Sequence, residues 1–201
     1  MSAPRVRWQV TLSGTSAEVR FDPVDADRDC ALIHDWMNRP HVSPWWELDR
    51  PYEQIHDYLT SLTHLRPWLV STGDVPFGYV ETYRVADDPL AAYIRAGDGD
   101  LGWHVLVGPQ EMLGTGVPRL LGRAVLAYLL NHANRVVCEP DARNARMHTF
   151  CERLGHRSLG EVDLPEKRAR LMACTRDDFD ARWPEDRRTV AAASTYEEVS
   201  R

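Results

Sequence analysis

A strand, a glycine-bearing turn and a helix follow one another without a gap from position 101 to position 129, and this run limits the folds open to the chain. Leu101-Gly102-Trp103-His104-Val105-Leu106-Val107 is nearly continuously apolar, as a strand buried on both faces should be. Gly108-Pro109-Gln110-Glu111-Met112-Leu113-Gly114-Thr115-Gly116 then turns the chain. Behind it Val117, Leu120, Leu121, Ala124, Val125, Tyr128 and Leu129 recur at helical spacing. Pro118 lies in the first turn, where a missing N–H costs nothing. A further strand is expected over 136–139. Strand, helix and strand in this order need a crossover, so the sheet holds at least one parallel pair and carries helices on its faces.

The remainder reads as mixed elements around that unit. A strand over 17–24 leads to the capping residues Asp25 and Asp27 and a helix bearing Leu32, Ile33, Trp36 and Met37. That helix stops at Arg39-Pro40, because the residue before proline resists the α conformation. A loop over 40–51 holds His41, Trp45 and Trp46, and a helix over 52–65 follows. Strands are expected over 68–70 and 77–83, separated by the turn at Gly73-Asp74. An excursion spans 86–99, a helix 144–154, and two closing strands 157–162 and 168–173. From Arg187 onward apolar periodicity is lost, so residues 187–201 are expected to form a disordered tail. The fold class is α/β, of the mixed α+β kind: one domain over 1–186 with a central mixed, twisted sheet flanked by helices. A length of 201 residues fits one such domain.

Charge and cysteine usage narrow the partners. The net charge of -6, with no basic stripe, argues against nucleic acid and suits a cationic small molecule. No apolar run reaches about 18 residues and no signal pattern opens the chain, so no membrane partner and a cytoplasmic location are expected. Cys30, Cys138, Cys151 and Cys174 form no CxxC pair and are read as reduced thiols. No metal-ligand spacing is present.

The turn after Val107 suits an anion. Gly114 and Gly116 let backbone N–H groups approach a ligand, and the positive end of the following helix favours pyrophosphate. A plain strand-to-helix turn is the alternative. The run lacks both the dinucleotide fingerprint and the GK[ST] of a P-loop. It resembles the coenzyme A pyrophosphate loop of GNAT acyltransferases, R/Q-x-x-G-x-G/A, with Glu111 at the first position contributing only its backbone. Asn144-Ala145-Arg146-Met147-His148-Thr149-Phe150-Cys151-Glu152-Arg153-Leu154-Gly155-His156 is similar to that family's N-x-x-A-x-x-x-Y-E-k-x-G-F block, and Cys151 stands where a tyrosine often protonates the leaving thiolate. The resemblance implies the GNAT fold and acetyl-CoA or another acyl-CoA as co-substrate. It assigns Met112, Leu113, Gly114, Thr115 and Gly116 to pyrophosphate, Val105, Leu106 and Val107 to pantetheine, and Asn144 to the same cofactor set.

Two further stretches, 35–46 and 77–83, resemble a GNAT branch containing siderophore hydroxamate acyltransferases and aminoglycoside 6'-acetyltransferases. Residues 100–108 and Glu139-Pro140-Asp141-Ala142-Arg143-Asn144 lean to the siderophore side. That likeness implies that His104 accepts a proton from the substrate and that Asp141 orients it; otherwise His104 is a structural strand residue and Asp141 a turn residue. Trp45 and Trp46 are candidate walls of a substrate pocket or covers of the core. Asn38 and His41 are candidates on the same loop. Glu81 and Tyr83 share one strand face and could point into a pocket or to solvent. Cys151 is read as a buried side chain, since direct transfer needs no acyl-enzyme. Three functions stay open: acylation of a hydroxylated amine on the way to a hydroxamate siderophore, acetylation of an aminoglycoside or polyamine, and a non-catalytic acyl-CoA-binding module. The expected partner is a small amine or hydroxylamine, and a homodimer is compatible with the sequence.

Overall fold

A computed structural model describes residues 5–196, apart from 16 and 188. The strands are β1 (Arg5–Thr11), β2 (Glu18–Pro23), β3 (Arg66–Thr72), β4 (Val75–Arg84), β5 (Leu101–Val107), β6 (Arg135–Cys138), β7 (Arg157–Asp163), β8 (Arg168–Thr175) and β9 (Val190–Tyr196). The helices are α1 (Ala26–Met37), α2 (Ser43–Trp46), α3 (Tyr52–Ser61), α4 (Val117–Leu129), α5 (Ala145–Leu154) and α6 (Arg176–Arg182). All nine strands form one sheet in the order β7-β8-β6-β5-β4-β3-β2-β1-β9. The β5–β6 pair is parallel and the other pairings are antiparallel, so the sheet is mixed, as the crossover through α4 requires. Among the described residues no helix is long and apolar enough to cross a membrane.

Burial explains the layers. The central β4 is buried over most of its length, because it lies between two hydrophobic faces. On one face Val80, Trp103 and Val107 pack with Leu121, Val125 and Leu129 of α4 and with Cys151 and Leu154 of α5. On the other face Tyr79 and Leu106 pack with Ile33 and Trp36 of α1 and Ile55 and Leu59 of α3. A smaller cluster of Tyr83, Val85, Leu90, Val137 and Leu171 lies beneath two 3-10 turns, Val85–Asp87 and Pro89–Ala92, in the excursion between β4 and β5. A gap is left on this second face between the last two clusters, and the polar site fills it.

The two ends of the chain depart from the sequence expectation. The tail from Arg187 does not stay irregular: β9 pairs with β1 over seven residues, from Thr11↔Val190 to Arg5↔Tyr196. Residues 197–201 lie outside the described residues. Strand β1 was also not expected, although Val6, Trp8 and Val10 alternate as a half-buried strand should. Delivery of the chain to that edge depends on a clasp. Arg123 of α4 donates from Nε to Asp186 Oδ2 at 2.6 Å, and its guanidinium lies 4.3 Å from the centre of the Trp183 ring. Asp186 Oδ1 accepts from the backbone N–H of Gly14 at the β1–β2 turn, 3.3 Å away. The side chain of Asp186 is fully buried and that of Arg123 is 7% exposed. One carboxylate therefore ties α4, the β1–β2 turn and the run into β9 together.

Candidate active site

The site begins with a cross-strand pair. Glu81 of β4 and His104 of β5 are register partners, and strand alternation places Tyr79, Glu81 and Tyr83 on the same face as His104. Beyond β6, Glu139 continues the face begun by Val137. Gly102 makes room, since a Cβ there would lie 2.1 Å from the Tyr83 ring, which crosses β5 to reach Glu139.

Hydrogen bonds fix the protonation of the cluster. His104 Nδ1 lies 2.9 Å from Glu81 Oε2 and His104 Nε2 lies 2.9 Å from Glu139 Oε1. A neutral imidazole has one donor, so two carboxylate acceptors are satisfied together only by the imidazolium. The remaining acceptor sites are also occupied. Glu81 Oε1 accepts from the hydroxyls of Tyr58 (2.5 Å) and Tyr79 (2.7 Å), and Glu139 Oε2 accepts from Tyr83 (2.7 Å). Burial, then the neighbouring Glu81, raises the Tyr58 and Tyr79 phenols above their ordinary value, and burial, then Glu139, does so for Tyr83. All three tyrosines thus remain donors. Burial opposes the charge on His104, but Glu139 and then Glu81 outweigh it and raise its pKa from 6.5 to about 10. Burial likewise opposes ionisation of Glu139, and His104 overrides it, holding the carboxyl down at about 2. The carboxylates are sunk, 1% and 7% exposed, while the His104 side chain is 31% exposed and forms the accessible surface of the cluster. Trp46 packs edge-on at 5.6 Å from Tyr79 and 6.2 Å from His104, as one wall.

The ionisation gives a direct test. Replacing Glu139 with glutamine is expected to bring the His104 pKa from about 10 back toward 6.5, because the largest favourable charge is removed. An NMR titration of the imidazole reads this. A raised folded-state pKa makes the charged ring a source of stability that is complete below pH 6.5 and lost as pH rises through about 10. A variant whose His104 still titrates near 10 would place the controlling charge elsewhere.

Several expected site residues lie apart from this cluster. Asp141 does not orient His104. Arg143 holds its carboxylate through contacts of 2.9 Å and 2.6 Å, and the residue at His104 Nε2 is Glu139. The reason is local: β6 ends at Cys138 and Pro140 turns the chain, so Asp141 leaves the alternation that Glu139 completes. Asn38 donates to the carbonyls of His34 and Arg50, and His41 donates from Nε2 to the Val107 carbonyl at 2.9 Å; both lock the loop. Trp45 is 42% exposed, while Trp46 turns inward. Asn144 caps α5, accepting from Met147 N–H, which occupies its side-chain oxygen. Cys151 is fully buried with its Sγ 3.6 Å from Cys138 Sγ, out of reach of a substrate. Glu139, Tyr58, Tyr79 and Lys167 were not picked out from the sequence; of these, Glu139 carried a signal in its two-residue spacing from Val137.

The glycine turn follows the end of β5, the strand that carries His104. Gly114 adopts φ +76°, the left-handed region that favours glycine, and no heavy atom lies within 4 Å of where its Cβ would be. Helix α4 starts at Val117, and its N-cap Gly116 has no side chain to offer; Thr115 Oγ1 accepts from Val117 N–H at 3.2 Å, and the positive end of the helix faces the turn. Upstream, β5 pairs with β6 only at Leu101↔Val136 and Gly102↔Val137. From Trp103 to Val107 the strand has no β6 partner, leaving a slot lined by backbone between the two strands. Among the described residues no cluster of His, Cys, Asp or Glu is arranged to hold a metal ion.

The chain is similar in sequence and fold to known proteins. Residues 25–164 match the family model described as an acetyltransferase (GNAT) domain. The N-hydroxyputrescine acetyltransferase of Acinetobacter baumannii is 31% identical over 157 residues, covering 76% of this chain and 75% of its own. The lysine N-acyltransferase MbtK of a Mycobacterium species (strain MCS) is 32% identical over 165 residues, covering 79% and 68%. A crystal structure of a Bacillus halodurans protein superposes with a TM-score of 0.82 at 32% identity, over 91% of this chain and 95% of that one.

Proposed function

We propose, from the premise that the chain belongs to the GNAT acetyltransferase family and is an acyl-CoA-dependent N-acyltransferase, that its acceptor is a hydroxylated side-chain amine or diamine bound for a hydroxamate siderophore. The observation that carries this reading is the exposed edge of His104, fixed between Glu81 and Glu139. With both ring N–H groups held by carboxylates, the exposed edge presents positive charge alone, which suits the uncharged, electron-rich N–OH group and opposes an ammonium. The relative named for N-hydroxyputrescine supports the hydroxylated class, and the one named for lysine supports a side-chain amine acceptor more broadly.

The reaction is direct transfer. The acceptor nitrogen attacks the thioester carbonyl, an N–C bond forms, the C–S bond breaks, and coenzyme A leaves as the thiolate. An alkyl ammonium with a pKa of about 10.4 has no free lone pair at neutral pH, whereas a hydroxylamine nitrogen is far less basic and attacks unaided. Its proton becomes acidic in the adduct. It leaves to the departing thiolate or to solvent, since His104, already an imidazolium, cannot accept it as the sequence suggested, and Glu139 is held ionised with both oxygens occupied; the charged ring instead helps to stabilise the oxyanion formed on the thioester carbonyl. Backbone groups of Val105, Leu106 and Val107 hold pantetheine and polarise the carbonyl. The turn from Met112 to Gly116 and the open end of α4 hold the pyrophosphate. A co-substrate made in the cytoplasm argues for that location.

Coenzyme A release in the presence of acetyl-CoA tests the acceptor class. A hydroxylated diamine or diamino acid is expected to exceed its parent amine by at least about 100-fold in kcat/KM, because the parent nitrogen is an ammonium at neutral pH, without a lone pair for attack and with its charge set against the His104 imidazolium. Equal rates on both, with fast turnover of an aminoglycoside, would overturn the reading. The pyrophosphate turn is tested separately. Gly114→Val forces a β-branched residue into the left-handed region and is expected to raise the KM for acyl-CoA about tenfold, with the melting temperature nearly unchanged because the turn is open. An unaltered KM would remove Gly114 from the cofactor site.

A further inference from the structure

The chain has 24 Lys and Arg residues, and only one of them, Lys167, is a lysine. It sits in the turn between β7 and β8, which is closed by the hydrogen bond from Leu164 N–H to the Lys167 carbonyl at 2.9 Å. Its Nζ lies 3.7 Å from Glu139 Oε1, the same oxygen that accepts from His104. The side chain is 26% exposed, against 7% for Glu139, so Lys167 covers the buried carboxylate while remaining partly open to solvent. The other carboxylate on this side, Asp141, also feels Lys167, but Arg143 already pairs with it.

We propose that Lys167 is a specificity-determining residue that makes the acceptor site reject an ammonium and admit an uncharged nitrogen. The proposal rests on the acceptor class given above and adds the residue that enforces it. Two carboxylates, Glu81 and Glu139, face two cations, His104 and Lys167. Every carboxylate oxygen already has a donor. An alkyl ammonium entering beside His104 brings a third cation to a site with no carboxylate to spare, and like charges brought together at a desolvated contact are strongly disfavoured. A hydroxylamine nitrogen is uncharged at neutral pH and meets no such opposition. Without Lys167 the cluster carries one net negative charge, and an ammonium can take the vacated place on Glu139. A lysine suits this task, being a compact point charge on a flexible stem.

Direct binding separates this role from catalysis. Isothermal titration of the enzyme–coenzyme A complex at pH 7 is made with 1,4-diaminobutane and with N-hydroxy-1,4-diaminobutane. Wild-type protein is expected to bind the hydroxylated ligand more tightly. In Lys167→Met the Kd for the parent diamine falls by about tenfold or more, while that for the hydroxylated ligand moves by less than about threefold. Lys167→Arg keeps the charge and retains the wild-type ratio. An equal shift for both ligands, or no gain for the parent diamine in Lys167→Met, would overturn the proposal while leaving the acceptor class intact. A wild-type complex that binds neither ligand would instead overturn the acceptor class, and this proposal with it.

Discussion

His104→Ala is expected to lower kcat on a hydroxylated acceptor by about 10³-fold, with the KM for acyl-CoA changed by less than about threefold. The ring does three things at once. It keeps Glu139 ionised, holds both carboxylates in place, and presents an accessible edge of the cluster. Alanine removes all three and leaves Glu81 and Glu139 facing each other without a cation between them. His104→Gln separates the effects, since it retains one donor to a carboxylate but not the charge. Its kcat should fall almost as far while its fold is better preserved. Single-turnover measurement with saturating acyl-CoA reads the chemical step directly. Turnover by either variant within tenfold of wild type would exclude the ring from the reaction.

Asp186→Ala is expected to destabilise the protein by about 3–5 kcal/mol, because it strands the buried Arg123 guanidinium. For a domain of this size that is a fall of roughly 10 °C or more in Tm. The loss should exceed that of an ordinary surface pair because three elements share the one carboxylate. Replacing the pair together, Arg123→Met with Asp186→Leu, should recover at least half of the loss, since apolar side chains then fill the space without an unpaired charge. Thermal and urea denaturation of wild type, Arg123→Met, Asp186→Leu and the double variant give the coupling. A drop of less than about 1 kcal/mol for Asp186→Ala would show that Glu185, 3.5 Å from Arg123, already suffices.

How far the site was legible follows from which signals are local. His104, Glu81 and Tyr83 stand out because alternation assigns a strand face from neighbours one and two residues away. Trp46 was singled out with Trp45, but a Pro-bounded loop gives no period, so which of the two turns inward is set by tertiary packing. Glu139 was in plain view beside Asp141. The likeness to relatives drew attention to the aspartate, while the end of β6 before Pro140 decides that the glutamate faces the ring. Tyr58 lies partly buried on α3 and Tyr79 fully buried on β4, and only the folded chain brings their hydroxyls together on one carboxylate. Strand β9 is of another kind. Its Ala191-Ala192-Ala193 run has too little side chain to announce a strand. It exists because β1 offers an unpaired edge and the Asp186 clasp brings the chain to it.

Mechanically, the nine-stranded sheet is two leaves rather than one plate. Six strands from β9 through β5 form the wide leaf, and β6, β8 and β7 form the narrow one. Across the seam the ladder has only two residue pairs, at one end, so the leaves meet like the covers of a partly opened book. The open part of the seam has backbone on both sides, and an extended chain of amide groups lying in it would act as a bookbinder's thread. Loading such a thread should stiffen the joint between the leaves, and the relative tilt of the two leaves sets the distance from Glu139 on the narrow leaf to His104 on the wide one. The 2.9 Å hydrogen bond from His104 to Glu139 is thus a side-chain stitch across a seam that the backbone leaves largely unsewn.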